Sequence, residues 1–311
     1  MALRTIVLTA AALFLTGSAA FSQTPPASCD RACLNVFVDQ YLAALAAKNS
    51  KQLPLAPDVR YTENGVELAL DDGIWGLENK LLDYRLYFAD PQRGQVGFFG
   101  TIEAHGHPSI LGIRLKIENR LIREMEAIVI RSTARGSFSD IAGMVDRPLL
   151  TQSLTLTQRR DRDTLITVAN SYFEGMESGT DKLVFFDKDC QRIENGVVTA
   201  SHPDDPIAIR RETCGDQFAT GFTKIITNVR ERRYPIVDEE RGLVLSIIRF
   251  DHNGRSKNIT WNDGSVHPVN TPFDEPFSFT IAELFKIIDG KIRQIEALVL
   301  NVPYGMPTGW K

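Results

Sequence analysis

Three familiar motifs are missing from this sequence. There is no G-x-S-x-G nucleophile elbow, no Gly-rich phosphate loop and no dinucleotide fingerprint, so serine hydrolases of that type and nucleotide-dependent enzymes fall away. Charge of one sign is also scarce. With 35 Lys and Arg against 39 Asp and Glu, the formal net charge is −4, which lacks the field that draws in nucleic acid. The Arg-rich stretch "VRERRY" (229–234) is broken by Glu231 and reads as a strand. Beyond the first 22 residues no apolar run is long enough to cross a bilayer as a helix. The four cysteines stand two by two at distant places without a histidine beside them, a poor zinc set. No cofactor and no metal is expected.

What is there begins with a leader. "MALR" gives a positive start, "TIVLTAAALFLT" an apolar run of 12 and "GSAAFSQ" small residues for cleavage near Ala20 or Ser22. Residues 1–22 are therefore expected to be a signal peptide, and the mature protein secreted or periplasmic. In that oxidising space Cys29, Cys33, Cys190 and Cys214 are expected to form two disulfides, with three connectivities open. A Cys190–Cys214 bridge would close a loop, and Cys29 and Cys33 are near enough on a helix to join.

The chain repeats itself. Glu-Asn-Gly-Val at 63–66 returns at 194–197, and Tyr41 and Tyr172 keep the same offset of 131. "DPQRGQV" (90–96) returns as "DEERGLV" (238–244) at offset 148, and "IREMEAIVI" (122–130) as "IRQIEALVL" (292–300) at offset 170. The order holds while the offset grows, the pattern of a duplicated domain with two insertions, of 17 and 22 residues, in its second copy. The unit is too long for a solenoid repeat. The expected organisation is a first domain at 28–131, a linker at 132–162 and a second domain at 163–311.

Each copy opens with a helix. Leu34, Phe37, Val38, Tyr41, Leu42 and Leu45 recur at helical spacing, and the second copy's helix follows Asp163 and Thr164, which suit capping. A strand then runs to Asn-Gly, the favoured two-residue hairpin turn, and further strands follow, read as antiparallel. The fold class is α+β.

The inward Tyr on the helix, the strand running into an acid before a turn, and the sheet returning over the helix resemble the nuclear-transport-factor-2-like superfamily, which includes ketosteroid isomerase and the SnoaL-like polyketide cyclases. The leader, the Cys-containing first helix, "RYTENG", "C-x-R-x-E-x-G" and "GKIR" are together similar to a secreted tandem family of bacteria and fungi. The resemblance implies two cone-shaped domains packed sheet to sheet as an internal pseudo-dimer. By its order it places Glu63, and Glu194 in the second copy, near the proton-transfer base of ketosteroid isomerase. Tyr41 would then donate to a developing oxyanion, with Trp75, Phe99, Tyr61 and Arg85 around the substrate.

Each of these residues also has a plainer reading. Glu63 suits a turn, Tyr41 a filled core, and Arg85 a surface pair with Asp83, echoed by Arg233 and Glu231. His105 offers proton transfer, although Gly and Pro around "HGH" favour a hairpin tip. The first copy is expected to hold the working site. Tyr172, Glu194 and Arg192 are its second-copy counterparts, with nothing corresponding clearly to Trp75. Two function classes remain. One is an exported, cofactor-free isomerase, dehydratase or lyase acting on a small apolar, aromatic or polyketide-like molecule. The other is a secreted binding module without chemistry.

Overall fold

The computed structural model describes residues 29–132 and 138–310; the expected signal peptide lies outside the described residues. The first copy runs α1 (Arg31–Ala46), β1 (Leu55–Glu63), β2 (Val66–Glu67), β3 (Asn79–Asp90), β4 (Gln95–Ala104), β5 (His107–Glu118) and β6 (Leu121–Arg131). A one-turn helix, α2 (Pro148–Thr151), lies in the connection. The second copy begins with α3 (Arg162–Ser178), β7 (Phe186–Glu194), β8 (Val197–Ala200), α4 (Ala208–Arg211) and α5 (Cys214–Thr220). It continues with β9 (Asn228–Asp238), β10 (Leu243–His252), β11 (Asn258–Thr260), β12 (Val266–Pro268), β13 (Phe277–Ile288) and β14 (Lys291–Val302).

The two six-stranded sheets share one order, β2-β1-β6-β5-β4-β3 and β8-β7-β14-β13-β10-β9. The duplication is thus structural as well as sequential, and the class is α+β. One expectation is corrected: the sheets are mixed, because β1 pairs parallel with β6 and β7 parallel with β14. The Asn-Gly turns explain how that pairing is fixed. Asn64 and Asn195 hold φ of 54° and 50°, and Gly65 and Gly196 hold 85° and 84°, as a type I′ hairpin demands. Each Asn side chain also accepts from the last strand, Asn64 from the Val129 N–H and Asn195 from the Val299 N–H, both at 2.8 Å. One residue therefore makes the turn and ties the first strand to the last.

The opening helices are capped at equivalent places. Asp30 accepts from the Cys33 N–H at 2.9 Å and Asp161 from the Thr164 N–H at 2.8 Å. The cap of α3 is therefore Asp161, with the expected Asp163 inside the first turn. Leu34, Val38, Tyr41 and Leu45 of α1 are fully buried against the concave face of the first sheet, and Leu165, Ala169, Tyr172 and Phe173 of α3 against the second. Both disulfides form as Cys29–Cys33 and Cys190–Cys214.

The opposite faces of the sheets meet each other. Phe88, Phe99 and Ile130 of the first copy share one buried cluster with Leu243, Leu284 and Leu298 of the second. At about 1.5–3 kcal/mol per fully buried large side chain, this layer holds the copies together as an internal pseudo-dimer. Its rim is reciprocal. Arg31 at the start of α1 bridges Asp238 at the end of β9 (2.5 Å), and Arg162 at the start of α3 bridges Asp90 at the end of β3 (2.6 Å). The C-terminal segment returns to the first copy, where Trp310 donates to the Thr62 hydroxyl at 2.9 Å. The Arg60 and Arg114 guanidiniums lie 4.5 and 4.7 Å from its ring.

Candidate functional site

In the first copy the cone is closed on its acid. Glu63, at the end of β1, accepts from the Tyr61 hydroxyl (3.1 Å), from the Ile74 N–H (2.6 Å) and from Arg131 (3.1 Å). Tyr41, Tyr61, Ile74 and Trp75 around it are at most 3% exposed. A Cβ on Gly73 would collide with the Glu63 carboxyl, so the loop is pressed against it. Trp75 packs edge-on to Tyr41 at 4.9 Å. Among the described residues the Tyr41 hydroxyl has no hydrogen-bond partner, and burial, reinforced by the charge of Glu63, pushes its pKa well up. Trp75 thus stoppers this cone from the segment between β2 and β3.

The second cone is built differently from equivalent positions. Residues opposite one another across neighbouring strands point to the same side of a sheet. In the first copy one such row, facing α1, reads Glu63, Ala127, Ile113, Phe98. The matching row facing α3 reads Glu194, Ala297, Glu283, Ser246. An aliphatic chain and a phenyl ring have given way to a carboxyl group and a hydroxyl. Glu283 is 2% exposed, with Tyr172, Arg192 and Glu194 as its polar neighbours. Burial, with the charge of Glu194 beside it, pushes its pKa up to about 8, so it holds its proton at neutral pH.

Arg192 stands where the first copy has Tyr61. It donates to Gln217 (2.7 Å), to the Thr199 hydroxyl (3.1 Å) and to the Tyr172 hydroxyl (3.3 Å), and lies 3.3 Å from the Glu194 carboxyl. Among the described residues Glu194 has only this pairing with Arg192, where Glu63 has three donors, and its side chain is 24% exposed. Phe218 on α5, 5.0 Å from Tyr172, takes the place that Trp75 has against Tyr41. The second copy therefore has a counterpart to Trp75, carried by the insertion that the Cys190–Cys214 bridge ties down.

Glu194 and Arg192 open onto a chamber of about 160 Å³ whose apolar walls include Met176, Phe222, Phe250, Phe279, Ile281 and Val299. His252 lines it as well. Its ring stacks on Phe277 at 4.5 Å, its Nδ1 has no partner among the described residues, and burial lowers its pKa to about 4, leaving it neutral. A larger space of about 690 Å³ adjoins this chamber and shares Arg192, Glu194, Phe222 and Phe273 with it. The first insertion walls this outer space through Ile207, Ile209 and Arg210, and the second through Ile259, Trp261 and His267. The two insertions, far apart in sequence, converge on one mouth.

The model of a domain of unknown function, DUF8021, matches residues 27–129 and again residues 158–299. The chain belongs to this family. Two matches in one chain repeat the duplication read from the sequence, and in this DUF8021 protein both insertions fall inside the second match. No curated protein matches the sequence. Among solved structures it is similar to an NTF2-like protein of unknown function from Cytophaga hutchinsonii (13% identity, 31% of this chain and 88% of that one, TM-score 0.27). It is also similar to a putative ketosteroid isomerase from Kribbella flavida (15%, 39% and 93%, TM-score 0.29) and a putative polyketide cyclase from Sinorhizobium meliloti (17%, 30% and 93%, TM-score 0.24).

Of the expected first-copy site, the structure brings Tyr41, Tyr61, Glu63 and Trp75 together and leaves three residues out. Phe99 faces the other sheet and packs edge-on to Phe88 at 5.1 Å; its neighbour Phe98 points into the cone. Arg85 is exposed and does not pair with Asp83; its Nε donates instead to the Leu82 carbonyl at 3.4 Å. The supposed echo fails similarly. Glu231 has φ 54° and pairs with Arg230, while Arg233 crosses to Glu126 of the first copy at 2.5 Å. His105 occupies the exposed β4–β5 turn at φ 50° and makes no hydrogen bond with Glu63. Among the described residues no helix is long and apolar enough to cross a membrane, and no group of three His, Cys, Asp or Glu residues is placed to hold a metal.

Proposed function

We propose that the working site is the second cone, and that it performs cofactor-free proton transfer on a ring-sized apolar compound, in the manner of an isomerase, dehydratase or lyase, in an exported protein. The observation that carries this is the row Glu194, Ala297, Glu283, Ser246, with its acid at the edge of an apolar chamber where the first copy has an enclosed acid and hydrocarbon. Glu194 takes a proton from the carbon beside a carbonyl, and the electron pair left behind moves onto the carbonyl oxygen. Arg192, held by Tyr172, Gln217 and Thr199, faces that developing charge from a preorganised position. Return of the same proton to another carbon completes an isomerisation. Its delivery to a departing hydroxyl completes a dehydration. Glu283 stays protonated beneath them, so Glu194 is not opposed by a second negative charge. Two disulfides fit the oxidising compartment that export implies.

A second reading rests on Arg192 itself. Three protein acceptors already engage its guanidinium, which suits a brace in a pure binding module. Proton exchange separates the two. Incubated with cyclohexenone in heavy water, the wild-type protein accelerates loss of the α and γ proton signals, and Glu194→Gln slows that exchange about 10²-fold or more. Glu63→Gln keeps the exchange and loses stability. No acceleration by the wild type returns the protein to the binding module, and a loss in Glu63→Gln alone puts the chemistry back in the first copy.

A further inference from the structure

The inner chamber, at about 160 Å³, has room for one six-membered ring, since an apolar cavity of about 150 Å³ takes up benzene. The outer space is about 690 Å³, and Glu194 and Arg192 line both spaces. Its walls are of mixed character. Trp261 stacks on His267 with ring centroids 3.7 Å apart, which fixes the indole on the β11–β12 hairpin, and Asn262 anchors that hairpin to the Gly179 and Ala219 carbonyls at 2.9 Å each. Arg210 faces it from the first insertion, already offset by Asp205 at 3.6 Å. Glu194 stands at the junction of the two spaces. Donors and acceptors are therefore interleaved around an aromatic side chain. Uncharged hydroxyl groups both give and accept hydrogen bonds and match such a wall, whereas an anionic group would meet the acid at the throat and a cation already neutralised.

We propose that the outer chamber is a recognition subsite for an uncharged, hydroxyl-rich extension of the ligand, joined to a single-ring apolar head that enters the inner chamber. This rests on the reading of the second cone as the ligand site. The first copy lacks both insertions and has no such subsite. The two insertions are then the specificity element of the protein, and the Cys190–Cys214 bridge fixes one of its walls.

Calorimetric titration of the full chain tests this with three probes that share one ring: phenol, phenyl β-glucoside and phenylacetate. The glucoside binds at least ~10-fold tighter than phenol, and phenylacetate no tighter than phenol. Trp261→Ala, and on the opposite wall the exposed-site variant Ile207→Trp, each erase the gain of the glucoside and leave phenol unchanged, while Val299→Phe in the inner chamber blocks both. If phenol binds and Val299→Phe blocks it, but the glucoside gains nothing, the extension subsite is wrong and the inner site stands. Tighter binding of phenylacetate overturns the uncharged class. If phenol does not bind, or binds Val299→Phe unchanged, the subsite and the reading beneath it fall together.

Discussion

Glu63 and Glu194 end equivalent strands before identical Asn-Gly turns, yet three donors hold the first in a sealed core while the second reaches a chamber beside Arg192. The difference comes from a few substitutions around a shared frame: Ile113 against Glu283, Phe98 against Ser246, Tyr61 against Arg192, and a short stopper bearing Trp75 against a longer insertion bearing Phe218 and Gln217. A backbone that forms a cone does not by itself make a cavity. The side chains along one row decide whether the cone is filled or left open, and here one chain shows both outcomes.

The contrast breaks if the first cone tolerates emptying. Phe98→Ala removes a ring that is 1% exposed, and is expected to cost about 3–5 kcal/mol in chemical denaturation while ring binding in the second copy stays intact. A loss below about 1 kcal/mol would mean that Phe98 fills nothing essential. The next effect belongs to the second copy alone. Replacing Cys190 and Cys214 by Ser is expected to destabilise by about 2–4 kcal/mol. It also weakens ring binding, because Gln217, the acceptor for Arg192, lies three residues beyond Cys214. Serine at Cys29 and Cys33 leaves ring binding unchanged.

Glu283 gives the comparison a signature in pH. Its folded pKa is raised to about 8 from an ordinary value of 4.5, so its contribution to stability is complete below the unfolded value and is lost as pH rises through 8. His252, lowered to about 4, works in the opposite sense and loses its contribution only as pH falls below 6.5. Between pH 6.5 and 8 His252 adds no slope, and Glu296, whose pKa burial also raises, acts in the same sense as Glu283. Stability there should fall as pH rises, and Glu283→Gln should lessen the slope by up to ~1.4 kcal/mol per pH unit. An unchanged slope in that variant would show that the acid is not held protonated. The smallest effect tests the surface. Arg85→Ala should shift stability by no more than about 0.5 kcal/mol, since its side chain is exposed and makes no ion pair among the described residues.

The repeat, the opening helix of each copy and the Asn-Gly turns could be read from the sequence because each leaves a local mark, whereas the short helices α2, α4 and α5 could not. What lay beyond it follows from burial. Both faces of each sheet are covered, one by a helix and the other by the second copy, so Gln95 and Thr101 in "QVGFFGTI", on the same side of the strand as Phe99, do not mark a solvent face. The parallel pairing of β1 with β6 is non-local and equally silent. Two signals were present and carried more than they showed. Glu283 interrupts the apolar run "FTIAELFKII" at the position where the first copy has Ile113, an acid that buried strands seldom carry without reason. The insertions appeared as loops, and no residue pattern announces that two loops more than 30 residues apart close over the same mouth.

The reciprocal bridges from Arg31 to Asp238 and from Arg162 to Asp90 are the stitches of a symmetric seam. In a pair of identical subunits, any change that opened one cone would have opened its twin, and any loop added at one mouth would have been added at both. A single polypeptide lifts that bond between the halves. The seam can stay symmetric, because each half still needs the other's sheet, while the far sides drift apart. One half becomes ballast that keeps its partner in shape, and the partner is free to change its contents.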